Sequence, residues 1–364
     1  MEITPSMLAL DTCAASATVT DIHTGEVRAL VSYPSFDPNR ISDPDYYYSL
    51  ITNGSSPLVN RATQQTLAPG STFKMVVATA GLDKGYINRD SLITDRVVFD
   101  KVYPPASCWS EKSHGSINVV RAIAVSCNYF FYQLGFNMSL DEKGNFSNER
   151  GLSILREYAS KYGFDQTSGV ELYEATPRIS DESSVRSSIG QGTNSYTCTQ
   201  INRYTAAIAS RGNVYSLKLV DRIATPDGET VEDITPEIIK KVEVSEETWD
   251  LIFDGMRQVC STTSGYKDVF RSINIDICGK TGTAEENENK PEHALMTGFD
   301  SKSDPKYAAT VVFPNGYGSN NVIDAFRDII AMCDNLPLYN EEALNAGVAI
   351  LPFDAYDHSS RDFE

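Results

Sequence analysis

A chain of 364 residues, 41% hydrophobic and 22% charged, has enough apolar material for one large core or two modest ones, and its charge content is too ordinary for wholesale disorder. Acidic residues outnumber basic ones by 49 to 31, and the resulting charge of −18 repels phosphate backbones. No Lys/Arg-rich run with interleaved aromatics offsets it, so nucleic acid is excluded as a partner.

Residues 18–22 and 26–33 are β-rich runs on either side of His23-Thr24-Gly25, which predicts a hairpin. From 34 to 69 the composition turns to Pro, Asp, Asn, Ser and Gly, a long irregular connection in which Tyr46, Tyr47 and Tyr48 read as packing residues. Pro69-Gly70-Ser71 then precedes an apolar run over 72–82 at helical spacing, so a helix starts near Ser71. Asn118 stands at an N-cap position before 119–125, and a second apolar run follows Ser126-Cys127-Asn128 as far as Gly135. Residues 151–162 and 200–211 are also patterned as helices, which makes about 85–212 a mainly helical lobe. Residues 273–278, 293–299 and 307–313 read as strands and 322–333 as a last helix, with an acidic peripheral tail over 337–364. Strands at both ends of a helical lobe imply that the two ends share one sheet. The expectation is an α/β (α+β) two-lobe domain over 1–336 with a cleft between the lobes.

No apolar stretch approaches the roughly 18 residues needed to cross a bilayer, and the N-terminus lacks a signal pattern, so the chain as given reads as soluble. Seven scattered cysteines, an odd number, form no small disulfide framework and leave the compartment open.

Several common catalytic solutions are missing. There is no G-x-S-x-G elbow, no H-E-x-x-H and no glycine-rich phosphate cradle, and the four histidines pair with no serine. A Ser/Lys solution remains. In S-x-x-K the two side chains share a helix face, and a desolvated amine beside other cations can take the serine proton. The pattern occurs at Ser71, Ser264 and Ser303, but only Ser71-Thr72-Phe73-Lys74 opens a strong apolar helix. Lys280-Thr281-Gly282, followed by Thr283, comes directly after the strand expected at 273–278. On an edge strand it offers a cation, hydroxyls and backbone N–H groups, with Gly282 letting a ligand approach the backbone. S-x-N begins at Ser116, Ser126, Ser272 and Ser319. Only Ser126-Cys127-Asn128 interrupts two helical runs, in a short loop that would aim both polar side chains outward.

In this order the three motifs resemble those of the penicillin-binding proteins and serine β-lactamases. The segments 21–27, 33–39, 60–62, 69–74, 188–192 and 278–285 extend the likeness to class B penicillin-binding proteins over about 14–334. The resemblance implies that fold, an antiparallel sheet flanked by helices plus the helical lobe, and a peptidoglycan D,D-transpeptidase working through a serine acyl-enzyme. It implies Ser71 as nucleophile, Lys74 as its base, Ser126 as proton relay supported by Lys280, and Asn128 on the donor peptide's amide. Thr281 and Thr283 would hold a carboxylate, and the amides of Ser71 and Thr283 the oxyanion. Stem peptides and β-lactams would be the ligands, with no cofactor required for acyl transfer. The family adds an N-terminal anchor and pedestal that are not in this sequence. It works at the extracytoplasmic face of the bacterial membrane, where those regions would meet the cell-wall machinery. Cys198 stands where the family often has proline.

A serine β-lactamase shares the three motifs, but class A enzymes add a water-activating glutamate in E-x-x-x-N, and between 141 and 182 no glutamate has an asparagine four residues on. A D,D-carboxypeptidase and a non-enzymatic β-lactam sensor remain as alternatives. Cys108, His114 and Cys127 have the donor types and spacing of a zinc set lacking its fourth ligand, as some class B enzymes with similar segments hold. The plainer reading makes Cys127 a small core residue and His114 part of a solvated loop. The acidic loop over 285–292 reads as a hairpin tip beside the cleft.

Overall fold

The computed structural model describes residues 14–334 except 264–265, 272, 274 and 285–290. The 337–364 tail, Ser264, Ser272 and most of the acidic loop lie outside the described residues.

Chain order runs through β1 (Ala15–Asp21), β2 (Val27–Tyr33), α1 (Lys74–Asp83), α2 (Val119–Ala124), α3 (Asn128–Met138), α4 (Asn148–Lys161), α5 (Cys198–Ala209), α6 (Glu246–Thr262), β3 (Cys278–Ala284), β4 (His293–Phe299), β5 (Tyr307–Phe313) and α7 (Ile323–Cys333). The hairpin forms as expected, with Gly25 supplying a φ of +74° beyond the turn. The five strands make one antiparallel sheet in the order β3-β4-β5-β1-β2. The two ends of the chain therefore do share a sheet: β5 pairs β1 from Ser16↔Val312 to Asp21↔Tyr307.

The middle strands lack inside-outside alternation; all seven residues of β4 are buried. Helices on both faces explain this. One face carries α5, whose twelve residues are all buried, and the other carries α7 and Phe270. Buried Asn202 on α5 fastens helix to sheet, donating to the carbonyls of Thr18 (3.0 Å) and Ala308 (3.1 Å) and accepting from Thr20 (2.8 Å). On the far side of α5 is the helical lobe, with α1 buried on every side at its centre.

Four expectations need correction. The 34–69 connection contains a helix, Pro44–Ile51, capped by Asp43 with proline at its first position. Of its tyrosines only Tyr46 is tied down, its hydroxyl accepting from the Asp37 N–H and its ring beneath Arg40, while Tyr47 and Tyr48 are exposed. Residues 85–118 are not helical; Ile93–Thr94 pairs with Ser116–Ile117 and Val98–Phe99 with Ala106–Ser107 in two short ladders. The third strand begins at Cys278 rather than 273, so Lys280-Thr281-Gly282 lies inside it and not beyond its end. The 17-residue α6 has no counterpart among the expected elements, although Ser245 caps it and its first turn carries Glu246 and Glu247.

Candidate active site

Ser71 is delivered by a 3-10 turn, Gly70–Phe73, and the α-helix begins only at Lys74, whose N–H bonds the Ser71 carbonyl. The turn is clamped. Gly70 (φ +51°) donates to Gly190 O at 3.3 Å, Thr72 Oγ1 donates to Pro69 O at 2.7 Å, and Tyr204 OH donates to Thr72 O at 3.1 Å. Gly190 must be glycine, because a Cβ there would meet Gly70 O at 2.0 Å. Its segment entered the sequence reading only as family likeness; in space it is the floor of the nucleophile turn.

Ser126 follows the Val125 C-cap of α2 in the left-handed region, φ +54°, which costs roughly 1–2 kcal/mol for a residue with a side chain. That corner turns Ser126 and Asn128 toward the buried lysines rather than outward. Lys74 Nζ donates to Ser126 O (2.8 Å), Ser126 Oγ (3.1 Å) and Asn128 Oδ1 (2.7 Å). Lys280 Nζ, from edge strand β3, donates to Ser126 Oγ (3.0 Å) and Thr281 O (3.0 Å). Four of the expected residues thus converge. Ser71, on the turn just before Lys74, is half-buried, and its hydroxyl makes no hydrogen bond to a described residue. The competing lysines, Lys267 and Lys306, are exposed.

Both buried amines are easier to deprotonate than free lysine. Burial holds Lys74 down at about 7, against partial opposition from the thiols of Cys127 and Cys108. Burial and then the charge of Lys74 push Lys280 well below the lysine range. With amines donating to both lone pairs of the Ser126 hydroxyl, its own proton is left free to be given elsewhere.

Thr281 is nearly buried and Thr283 half-buried on β3. Gly282 packs against the nucleophile turn. A Cβ there would point at the nucleophile turn, 2.9 Å from Pro69 O and 3.0 Å from Thr72 Cγ2, so its bareness lets β3 approach Ser71. The Ser71 and Thr283 segments touch, since a Cβ on Gly70 would stand 2.5 Å from Thr283 O.

Glu171 and Glu174, both between 141 and 182, are engaged elsewhere. Buried Glu174 accepts from Ser168 N (2.5 Å), Ser168 Oγ (2.9 Å), Thr197 Oγ1 (3.0 Å) and Thr199 Oγ1, fixing the start of α5. Glu171 accepts from the Leu219 and Val220 N–H groups.

Behind Ser126 the ligand atoms of Asp95, Cys108, His114 and Cys127 lie within 4.8 Å of one another. Cys108 Sγ is 3.8 Å from His114 Nδ1 and 4.0 Å from Cys127 Sγ, while His114 Nδ1 is 2.7 Å from Asp95 Oδ2. Asp95 is the partner that spacing could not find, because only the 93–117 ladder folds it back over His114. Burial raises its carboxyl, but donors led by the His114 and Val97 N–H groups outweigh burial and hold it below the usual range. The hydrogen bond shared by the two thiols draws Cys108 down, and the same bond, with burial, drives Cys127 up.

A five-stranded antiparallel sheet, an inserted helical lobe, and S-x-x-K, S-x-N and K-T-G meeting at their junction define the penicillin-recognising class of domains. The family model of the penicillin-binding protein transpeptidase domain matches residues 15–331, and the chain belongs to that family, as a class B transpeptidase domain. Peptidoglycan D,D-transpeptidase MrdA of Escherichia coli (strain K12) is 29% identical over 87% of this chain and 53% of its own length. The chain therefore spans about half the length of that relative. A chain from a peptidoglycan synthase complex described as coordinating polymerization and crosslinking superposes with a TM-score of 0.79 at 28% identity, over 90% of this chain and 57% of the other. Penicillin-binding protein A of M. tuberculosis, solved as an imipenem acyl-enzyme, gives a TM-score of 0.73 at 26% identity, over 84% and 69%.

Proposed function

We propose that this domain is a serine-type peptidoglycan D,D-transpeptidase, and the observation that carries the reading is the hydroxyl of Ser126 held between the amines of Lys74 and Lys280. Protonated Lys74 spends its three N–H groups on Ser126 and Asn128. Losing one proton releases one of those contacts, and the lone pair can turn to Ser71. As Ser71 Oγ attacks the penultimate D-alanine carbonyl its proton passes to Lys74; the C–N bond then breaks as Ser126 gives its proton to the departing D-alanine amine and is reprotonated by Lys74. In the second half an acceptor amine forms the new C–N bond, the ester C–O bond breaks, and the amine's proton returns to Ser71 Oγ. The amides of Ser71 and Thr283 would stabilise the oxyanion, Thr281 and Thr283 the substrate carboxylate, and the Asn128 amide the donor peptide.

β-Lactams would acylate Ser71, and no cofactor enters either step. The solved relatives in an acyl-enzyme with imipenem and in a peptidoglycan synthase complex support β-lactams and cell-wall machinery as partners. Intact mass after penicillin, for the wild type and Ser71→Ala, tests the nucleophile. A stable one-to-one adduct lost in the variant is expected, whereas rapid turnover would indicate a β-lactamase. A transfer assay with a D-amino acid then separates the enzyme from a sensor, and hydrolysis alone would indicate a carboxypeptidase.

Asp95, Cys108, His114 and Cys127 would hold one zinc ion. Two thiols, an imidazole and a carboxylate are suitable donors, and the separations of Cys108 Sγ from His114 Nδ1 (3.8 Å) and Cys127 Sγ (4.0 Å) lie near the tetrahedral edge of about 3.3–3.8 Å. Four protein ligands make a closed site, which supplies no reaction step and fastens the 93–117 ladder behind the Ser126 corner. Protein purified without chelator should contain one zinc per chain; substoichiometric metal would overturn this.

A further inference from the structure

Between α6 and the short helix Tyr266–Arg271 lies a groove of about 420 Å³. Arg257, Lys267 and Arg271 line it against one carboxylate, Asp276, and buried Phe270 and Ile277 form an apolar wall. Arg257 is paired with Asp276, which leaves Lys267 and Arg271 exposed and in no ion pair with a described residue. Two unmatched cations beside apolar side chains, in a chain of charge −18, suit a ligand that combines carboxylates with aromatic rings.

The chain itself carries such a ligand. Residues 335–364 hold six acidic side chains and one arginine, and among them Phe353-Asp354-Ala355-Tyr356-Asp357 sets two aromatics beside two carboxylates. The segment also starts close to the groove. Phe326 of α7 packs edge-on against Phe270, with ring centroids 6.2 Å apart. The helix is followed by Asp334 beside Asp300, whose carboxyl is raised by burial and further by the charge of Asp334. Two residues on from Asp300, the Lys302 N–H bonds the carbonyl of Asp276 at 3.0 Å. The 18 residues from 335 to 352 can span about 60 Å when extended, so length sets no limit.

We propose that the groove holds this chain's own segment 353–357, with Asp354 and Asp357 at Lys267 and Arg271 and the rings of Phe353 and Tyr356 on the apolar wall. Because the segment is tethered, two surface ion pairs and a modest apolar contact are enough to dock it. Cys260 also lines the groove, and a Cβ on Gly279 would stand 3.0 Å from its Sγ, so the docked segment adjoins β3 one residue before Lys280.

The test uses the full chain. Carbodiimide should join Lys267 to Asp354 or Asp357, and in a mixture of isotopically light and heavy chains every such link should fall within one chain. Chymotrypsin should cut slowly after Phe353 and Tyr356. Reversing both charges, Lys267→Glu with Arg271→Glu, should speed those cuts about tenfold without shifting the thermal melt. Salt at about 0.5 M should do the same to the wild type, and the salt series decides if the variant's melt shifts. Cleavage rates that the charge reversal leaves unchanged would overturn the proposal. So would Lys267 linked instead to the acidic loop over 285–292 or to a neighbouring chain, which would make that loop or a second copy the occupant.

Discussion

Gly282→Ala tests whether β3 sets the position of the nucleophile. The added Cβ would stand 2.9 Å from Pro69 O, against an ordinary contact of at least 3.4 Å, so the turn must retreat by about 0.5 Å. The turn cannot absorb this locally, because Thr72 bonds Pro69 and Tyr204 holds the Thr72 carbonyl, so the displacement passes to Ser71. A misplacement of about 1 Å costs roughly 10²-fold in rate, so half of it should slow acylation by about tenfold. Stability should fall by only about 1–2 kcal/mol, the usual cost of one extra methyl in a tight contact. Second-order acylation by a fluorescent penicillin, read beside a thermal melt, measures both. Gly85→Ala is the control: its φ of +73° brings strain of about 1 kcal/mol, but nothing lies within 4 Å, so acylation should be untouched. Acylation of Gly282→Ala within twofold of wild type would refute the reasoning.

Gly190→Ala should be harsher, because its Cβ would meet Gly70 O at 2.0 Å in a φ of +79°, and acylation should fall by more than about 10²-fold in the same assay. If neutral Lys74 is the base, the acylation rate should rise with pH, about tenfold per unit below a midpoint near 7, and level off above it. A stopped-flow profile flat across that range would remove Lys74 from the role. Glu174→Gln turns an NH₂ toward groups that donate to the carboxylate and should cost about 1–3 kcal/mol in urea unfolding. It should leave the lifetime of the penicilloyl-enzyme unchanged, and a changed lifetime would give Glu174 a part in deacylation. Asn202→Leu removes the helix-to-sheet bonds to the Thr18 and Ala308 carbonyls and the acceptor of the buried Thr20 hydroxyl, and should cost about 1–3 kcal/mol, also measured by urea unfolding.

Sequence alone determined the elements whose signals are local. The hairpin around Gly25, the Asn118 cap, and the strands His293–Phe299 and Tyr307–Phe313 follow from turn chemistry, capping and continuous apolar runs. It also picked Ser71 from three S-x-x-K matches, because only there does the pattern open an apolar helix. Tertiary structure decided what depends on approach between distant segments. Gly282 faces the nucleophile turn, Gly190 supports that turn across 120 positions of chain, and Asp95 reaches the thiols only through the 93–117 ladder. The lowered proton affinity of two lysines likewise has no sequence signature, because desolvation and mutual repulsion arise only when α1, the Ser126 corner and β3 close around one hydroxyl.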